Sequence, residues 1–195
     1  MTARMVDEGD LWRRLAGLLP PADTESVLEC REIGEQEAGI HLLVSRLFDQ
    51  CVPIGETARA ELAMLAEVWG VREELAPDLT RIASGPEGEP SPLELIETAD
   101  MEPLRGASVG GGKALDGLLV VPWIACPSRI RVLARAHRLE WWGGLSWLTA
   151  YYVLFTPGDP AHTRVFETDA AWEALGELRY GPSGGEEAVL EGDDE

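Results

Sequence analysis

The spacing of apolar residues changes part-way along the chain, and no single element can satisfy both spacings. Up to about residue 80 the large aliphatic residues recur every three or four positions, the period of a helix with one buried face. From about residue 115 they alternate with polar residues or run continuously, the period of a strand. Helices followed by strands, rather than the two interleaved, predict an α+β fold. The expected architecture is an N-terminal antiparallel helical bundle, then a small antiparallel sheet with one or two covering helices.

In the helical part, Asp10 is the expected cap of a helix carrying Leu11, Trp12, Leu15 and Leu18, which Pro20-Pro21 stops. A second helix is expected from Asp23–Thr24 to Gly34. A third, Glu35 to Gln50, places Ile40, Leu43, Val44, Leu47 and Cys51 on one stripe. A fourth, Glu56 to Trp69, aligns Ala58, Leu62, Leu65 and Trp69, with Gly70 suited to the position after its end. A fifth begins at Val71 and is expected to break at Pro77. Residues 1–83 therefore read as an acidic helical bundle. Residues 84–97 read as a linker with a short helix, placed at Leu93–Ala99.

Residues 98–182 read as an aromatic-rich α+β domain, holding five of the seven tryptophans. Leu118–Trp123 is an apolar, valine-rich run that predicts a buried strand. From Arg129 to His137, Ile130, Val132, Ala134 and Ala136 alternate with Arg129, Arg131, Leu133 and Arg135, which predicts a half-buried strand with a basic outer face. Trp147–Thr156 and Thr163–Glu167 flank the turn signal Pro157-Gly-Asp-Pro160 and predict a hairpin. Asp169 is the expected cap of a last helix carrying Ala170, Trp172, Ala174, Leu175 and Leu178. Residues 183–195 read as a disordered acidic tail.

The charge follows the same division. The formal net charge is −19, and residues 1–100 carry −13 of it, 101–185 are neutral and the last ten residues have six acids and no base. A field of this sign repels nucleic acid and anionic membrane and steers basic partners inward. No window approaches the ~18 apolar residues of a membrane-spanning helix. Met1–Asp10 lacks the pattern of a secretion signal, and three cysteines without C-x-x-C spacing read as free, buried thiols of a reducing compartment, so the expected location is cytoplasmic.

Motifs for chemistry are missing their essential residues. The glycine-rich stretch Gly106–Ala114 has Ala107 and Ala114 where a phosphate loop needs glycine and a hydroxyl, so it reads as a flexible connection. His41, His137 and His162 lack metal-ligand spacing. Cys126 and His137 as a thiolate–imidazole pair, and Asp169 with Glu173 as a carboxylate pair, have simpler structural readings. No cofactor, no metal and no enzymatic activity are expected.

Two features point instead to a partner. Glu25, Glu29 and Glu32 lie within about 60° of one another around a helix, and Glu35 and Glu37 follow directly. Like charges one turn apart cost a helix a few tenths of a kcal/mol, so the stripe is mildly unfavourable for folding. Trp141 and Trp142 cannot both point into a core if their segment is extended, which makes one of them an exposed anchor.

The run from Glu29 to Gly55 resembles the MafI-type immunity proteins of bacterial polymorphic toxin systems. The likeness rests on Gly34-Glu35 with Glu37, Leu43 and Leu47, Val52-Pro53-Ile54, and Leu65-Ala66 with Gly70, and spans residues 26–72, about a quarter of the chain. Members of that family are small helical domains, so residues 98–182 lie outside it. The resemblance implies a cytoplasmic protein that binds and neutralises a cognate toxin, often a nuclease. The expected function is thus an immunity or inhibitor protein whose acidic helical surface binds a basic toxin. The alternative is an enzyme or small-ligand binder with a pocket lined by Trp123, Trp141, Trp142 and Tyr151.

Overall fold

A computed structural model describes residues 7–85, 92–96, 102–141 and 145–181. The fold is α+β, with helices first and a six-stranded antiparallel sheet after them. The predicted tail, 183–195, lies outside the described residues, as does the part of the predicted short helix at 97–99.

Helix α1 (Glu8–Ala16) is capped by Asp7, whose Oδ1 accepts from the amides of Gly9 at 2.8 Å and Asp10 at 3.2 Å. Asp10, the expected cap, instead pairs with Arg13. Helix α1 ends at Ala16, short of Pro20-Pro21, so Leu18, expected on it, lies past its end and is exposed, and Pro21 begins α2 (Pro21–Glu32), two residues before the expected start. Proline fits a first helical position because its φ is already helical and its missing N–H would have no partner there. Helices α3 (Gln36–Asp49) and α4 (Glu56–Val68) fall where the periodicity places them. Ile40, Leu43, Val44 and Leu47 are fully buried, but Cys51 lies past the end of α3, exposed, with a left-handed φ of 51°.

Helix α4 is buried all round from Arg59 to Ala66 and forms the centre of the molecule. Helix α5 (Arg72–Arg81) passes through Pro77 without breaking. Buried Leu75 and Leu79 anchor it on either side, and the Arg59 guanidinium donates to the carbonyls of Leu79 and Ile82, satisfying its C-terminal end.

Strands β1 (Glu94–Leu95) and β2 (Leu104–Arg105) pair with opposite ends of β3 (Leu119–Cys126). Glu94 and Leu95 are therefore strand where a helix was expected, because the edge of β3 offers them a ladder. The sheet continues through β4 (Arg131–Trp141), β5 (Leu145–Thr156) and β6 (Asp159–Phe166).

Both faces of the sheet are covered. Leu133, Tyr152, Leu154 and Phe166 join one buried cluster with the helices, including α7 (Ala171–Tyr180). Ala134, Ala136 and Val153 form a second cluster under Val109, Leu115 and Leu118. The basic outer face expected of β4 does not exist, since Arg135 points toward the helices and is only 3% exposed. Ile130, expected in the alternation, sits before β4 in a left-handed turn and is exposed.

The segment expected as a flexible glycine loop is folded into α6 (Gly106–Val109) and a 3-10 turn at Gly112–Leu115. Gly106 packs so closely there that a Cβ would stand 1.9 Å from the Leu115 carbonyl oxygen. A 3-10 turn at Thr168–Ala170 leads into α7, and Asp169 makes no capping bond to it.

Candidate functional site

Two surfaces stand out, one acidic and one a cavity. On α2, Val27 is the sole buried residue, and Glu25, Glu29 and Glu32 project on the opposite, exposed side. Glu35 and Glu37, at the α2–α3 turn, are also exposed. Glu37 sits in the first turn of α3, where the helix dipole favours a carboxylate. None of these five is in an ion pair among the described residues, although most described arginines meet a carboxylate of the same chain. Arginine is spent instead on two buried glutamates, Glu61 and Glu177, and on partly buried Glu67. Glu61 is held by Arg14 at 2.6 Å and Arg179 at 2.7 Å. Glu177 is held by Arg131 and Arg164. Glu67 is held by Arg72 and Arg135.

The Glu67 cluster joins the end of α4 to the sheet. Its Oε2 lies 2.7 Å from Arg72 Nε and 3.3 Å from Arg135 Nη1. Its Oε1 accepts from Thr149 Oγ1 at 3.2 Å and Tyr152 Oη at 3.4 Å. Arg135 lies across from Tyr152 in the β4–β5 register, and its guanidinium stacks 4.9 Å from the Trp123 ring. Trp123 and Tyr152 stack in turn, with centroids 6.3 Å apart. Trp123 is thereby accounted for by packing.

This cluster shifts the acid–base behaviour of its members. Burial lowers the Arg135 pKa from its ordinary value, opposed by the charge of Glu67. Burial, then the neighbouring Arg135 charge, lowers His137 to about 4, so its ring is neutral at pH 7. Burial and the Glu67 carboxylate push the Tyr152 phenol up.

Beside the cluster a cavity of about 260 Å³ opens between the α4–α5 turn and the β4–β5 hairpin. Gly70, Arg72, Arg135, His137, Trp147 and Thr149 line it. Trp147 is half exposed at its mouth and pairs across the hairpin with Leu139, also exposed. A wider depression of about 440 Å³ lies against β6, but its arginines, Arg131 and Arg164, are committed to Glu177.

Of the predicted contact residues, Trp141 is 72% exposed near the end of the same hairpin. Trp142 lies outside the described residues. The pocket of Trp123, Trp141, Trp142 and Tyr151 is not formed by the three that are described. Trp123 faces the helices, Tyr151 packs on the opposite face of the sheet, and Trp141 is remote at the hairpin end. Cys126 and His137 are likewise apart, paired in register with Arg131 and Leu119 at opposite ends of the β3–β4 ladder. Sequence reasoning missed Glu67, Arg72 and Thr149. The only available signal was Leu133, an apolar residue on the same alternation as Arg131 and Arg135.

Among the described residues no group of His, Cys, Asp or Glu is arranged to hold a metal ion, and no helix is long and apolar enough to cross a membrane. Comparison with protein-family models, curated proteins and solved structures finds no match to this chain.

Proposed function

We propose that the chain is an immunity-type inhibitor, acting in the cytoplasm, that binds and neutralises a toxin with a basic surface. Glu25, Glu29, Glu32, Glu35 and Glu37 provide the complementary charge, and Trp141 provides an aromatic anchor. The chain contributes no chemistry of its own. The observation that carries this reading is the pairing contrast: these five carboxylates stand exposed and outside any ion pair among the described residues, while most described arginines, though not Arg31 beside the stripe, pair with other carboxylates. Such a surface presents fixed negative charge where a nuclease presents a cationic cleft.

Arg31, near the end of α2, comes close to Gly9 of α1. Glu8 accepts from the indoles of both Trp12 and Trp69. Residues 72 and 73 then line the cavity whose mouth Trp147 covers. The α2–α3 turn and the β4–β5 hairpin are thereby linked through α1 and the α4–α5 turn.

The test co-expresses the chain with the C-terminal domain of a secreted protein encoded beside its gene. The native chain should restore growth. Changing all five glutamates to glutamine should slow association at low salt by about ten-fold or more and weaken protection, with the fold intact by circular dichroism. A gene neighbourhood without such a protein, no restoration of growth, or full protection by the five-fold variant would each reject the reading.

A further inference from the structure

Strand β5 runs well past the strand beside it. It pairs with β4 from Leu145, opposite Trp141, to Phe155, opposite Val132. On its other side β6 pairs only with Tyr152 to Thr156, and the 3-10 turn at Thr168–Ala170 packs on β5 as well. Strand β3 likewise stops on β4 at His137. Past these limits β4 and β5 continue as a two-stranded ribbon. Among the described residues no strand pairs with the outer edge of Leu145–Thr149.

An open edge invites another strand, and the other edges of this sheet are guarded against that. Strands β1 and β2 are two residues long, and β6 carries Asp159, Pro160 and Arg164. The β5 edge has no such guard. Residues 141–158 hold no Asp, Glu, Lys or Arg, the longest such run in the chain. Flanking charges are paired locally, Arg138 with Glu140 at 3.9 Å and Arg72 with Glu73 at 3.3 Å. Trp147 is 50% exposed, and Leu139 across from it is 46% exposed.

A neutral edge offers nothing to a basic partner, whereas a copy that also carries −19 meets least repulsion where charge is absent. Two identical strands running antiparallel are complementary about a two-fold axis. With that axis at Trp147, Leu145 of one copy faces Thr149 of the other, which uses the open edge and stops short of β6. The Tyr152 residues of the two copies then stand roughly 34 Å apart along the strands, several screening lengths at physiological salt. We propose that the chain dimerises by antiparallel pairing of β5 with β5 of a second copy across Leu145–Thr149, bringing the two Trp147 rings together as cross-strand neighbours. One such edge per chain closes the assembly at two. The area covered is small, which makes the dimer weak. The pairing engages neither α2 nor β4, so it does not rest on the inhibitor reading.

The test is analytical ultracentrifugation of the native chain from about 1 μM to about 1 mM, with amide hydrogen exchange at both ends of that range. Monomers should give way to dimers, and the outward amides of Leu145–Thr149 should exchange several-fold more slowly at the higher concentration. Added salt should strengthen the dimer because it screens two like-charged copies, the opposite of its effect on a basic partner. Trp147→Lys sets two like charges across the two-fold axis and should raise the dimer dissociation constant about ten-fold or more, with circular dichroism unchanged. Ile33→Lys, at an apolar residue 68% exposed beyond α2, should leave that constant within about two-fold.

A chain that stays monomeric throughout, a dimer whose slowed amides lie elsewhere, or a folded Trp147→Lys variant that dimerises as well as the native chain would overturn the proposal. Equal protection of Leu145–Thr149 at every concentration would also overturn it, by giving the edge to a segment of the same chain. So would protection of these amides only when a toxin domain is added, which would give the edge to the toxin.

Discussion

Glu67 is the carboxylate that faces Arg135 on the covered side of β4. Glu67→Gln keeps the size of the side chain but removes the charge that faces Arg135, a residue only 3% exposed. It also weakens the bonds from Arg72, Thr149 and Tyr152. Removing one member of a buried ion pair costs about 3–5 kcal/mol, because the remaining charge stays out of water without compensation. For a chain of this length each kcal/mol is worth about 2–4 °C in melting temperature, so the midpoint should fall by about 6–20 °C. Urea and thermal unfolding followed by circular dichroism measure both quantities. The control is Glu25→Gln, exposed and unpaired, which should stay within about 0.5 kcal/mol of the parent. The double change Glu67→Leu with Arg135→Met removes both charges of the pair and should recover only part of the loss, because Arg72, Thr149 and Tyr152 still lack their acceptor. A cost below about 1 kcal/mol for Glu67→Gln would refute the premise that this pair is a buried, mutually dependent unit.

His137 predicts a pH dependence. Its native pKa is lowered to about 4 from an ordinary 6.5, chiefly by burial and then by Arg135, while Glu67 and Glu73 oppose and Arg72 adds. Between those values the unfolded chain binds a proton that the native chain does not, so stability should fall by about 3 kcal/mol as pH drops from 6.5 to 4. Denaturant midpoints across that range should show the slope, and His137→Gln should flatten it. Gly106→Ala should cost about 1–3 kcal/mol in the same unfolding assay, since the new Cβ would collide with the Leu115 carbonyl and force the α6 turn away from the sheet; an unchanged midpoint would mean that this segment is as loose as its glycines suggest.

The parts of the fold that could be read from the chain are those where burial follows from local spacing. The third and fourth helices and the β5–β6 hairpin lie where periodicity and turn residues place them, because each buries a face defined by its own residues. Elsewhere the neighbours decided. Pro77 remains helical because Leu75, Leu79 and Arg59 hold the segment from outside. Leu93 is fully buried and the two residues after it become strand because the edge of β3 is free to pair with them. Arg135 looked solvent-facing from its alternation with alanines, and it is buried only because a helical layer covers that side.

The candidate site divides in the same way. The acidic stripe of α2 was visible from spacing alone, since one helix fixes the relation of Glu25, Glu29 and Glu32. The cavity was not, because Glu67 and Arg135 stand 68 positions apart and their meeting depends on how two layers pack.

What the sequence by itself determined is the order of the principal helices and strands, the sign of the field and the outward face of α2. These follow from residues within a few turns of one another. Only the tertiary structure decided which arginines are buried, which glutamates they hold and which strand edge stays open. A charged side chain declares its sign in the sequence, but its partner and its solvation are set by whatever element comes to lie across from it.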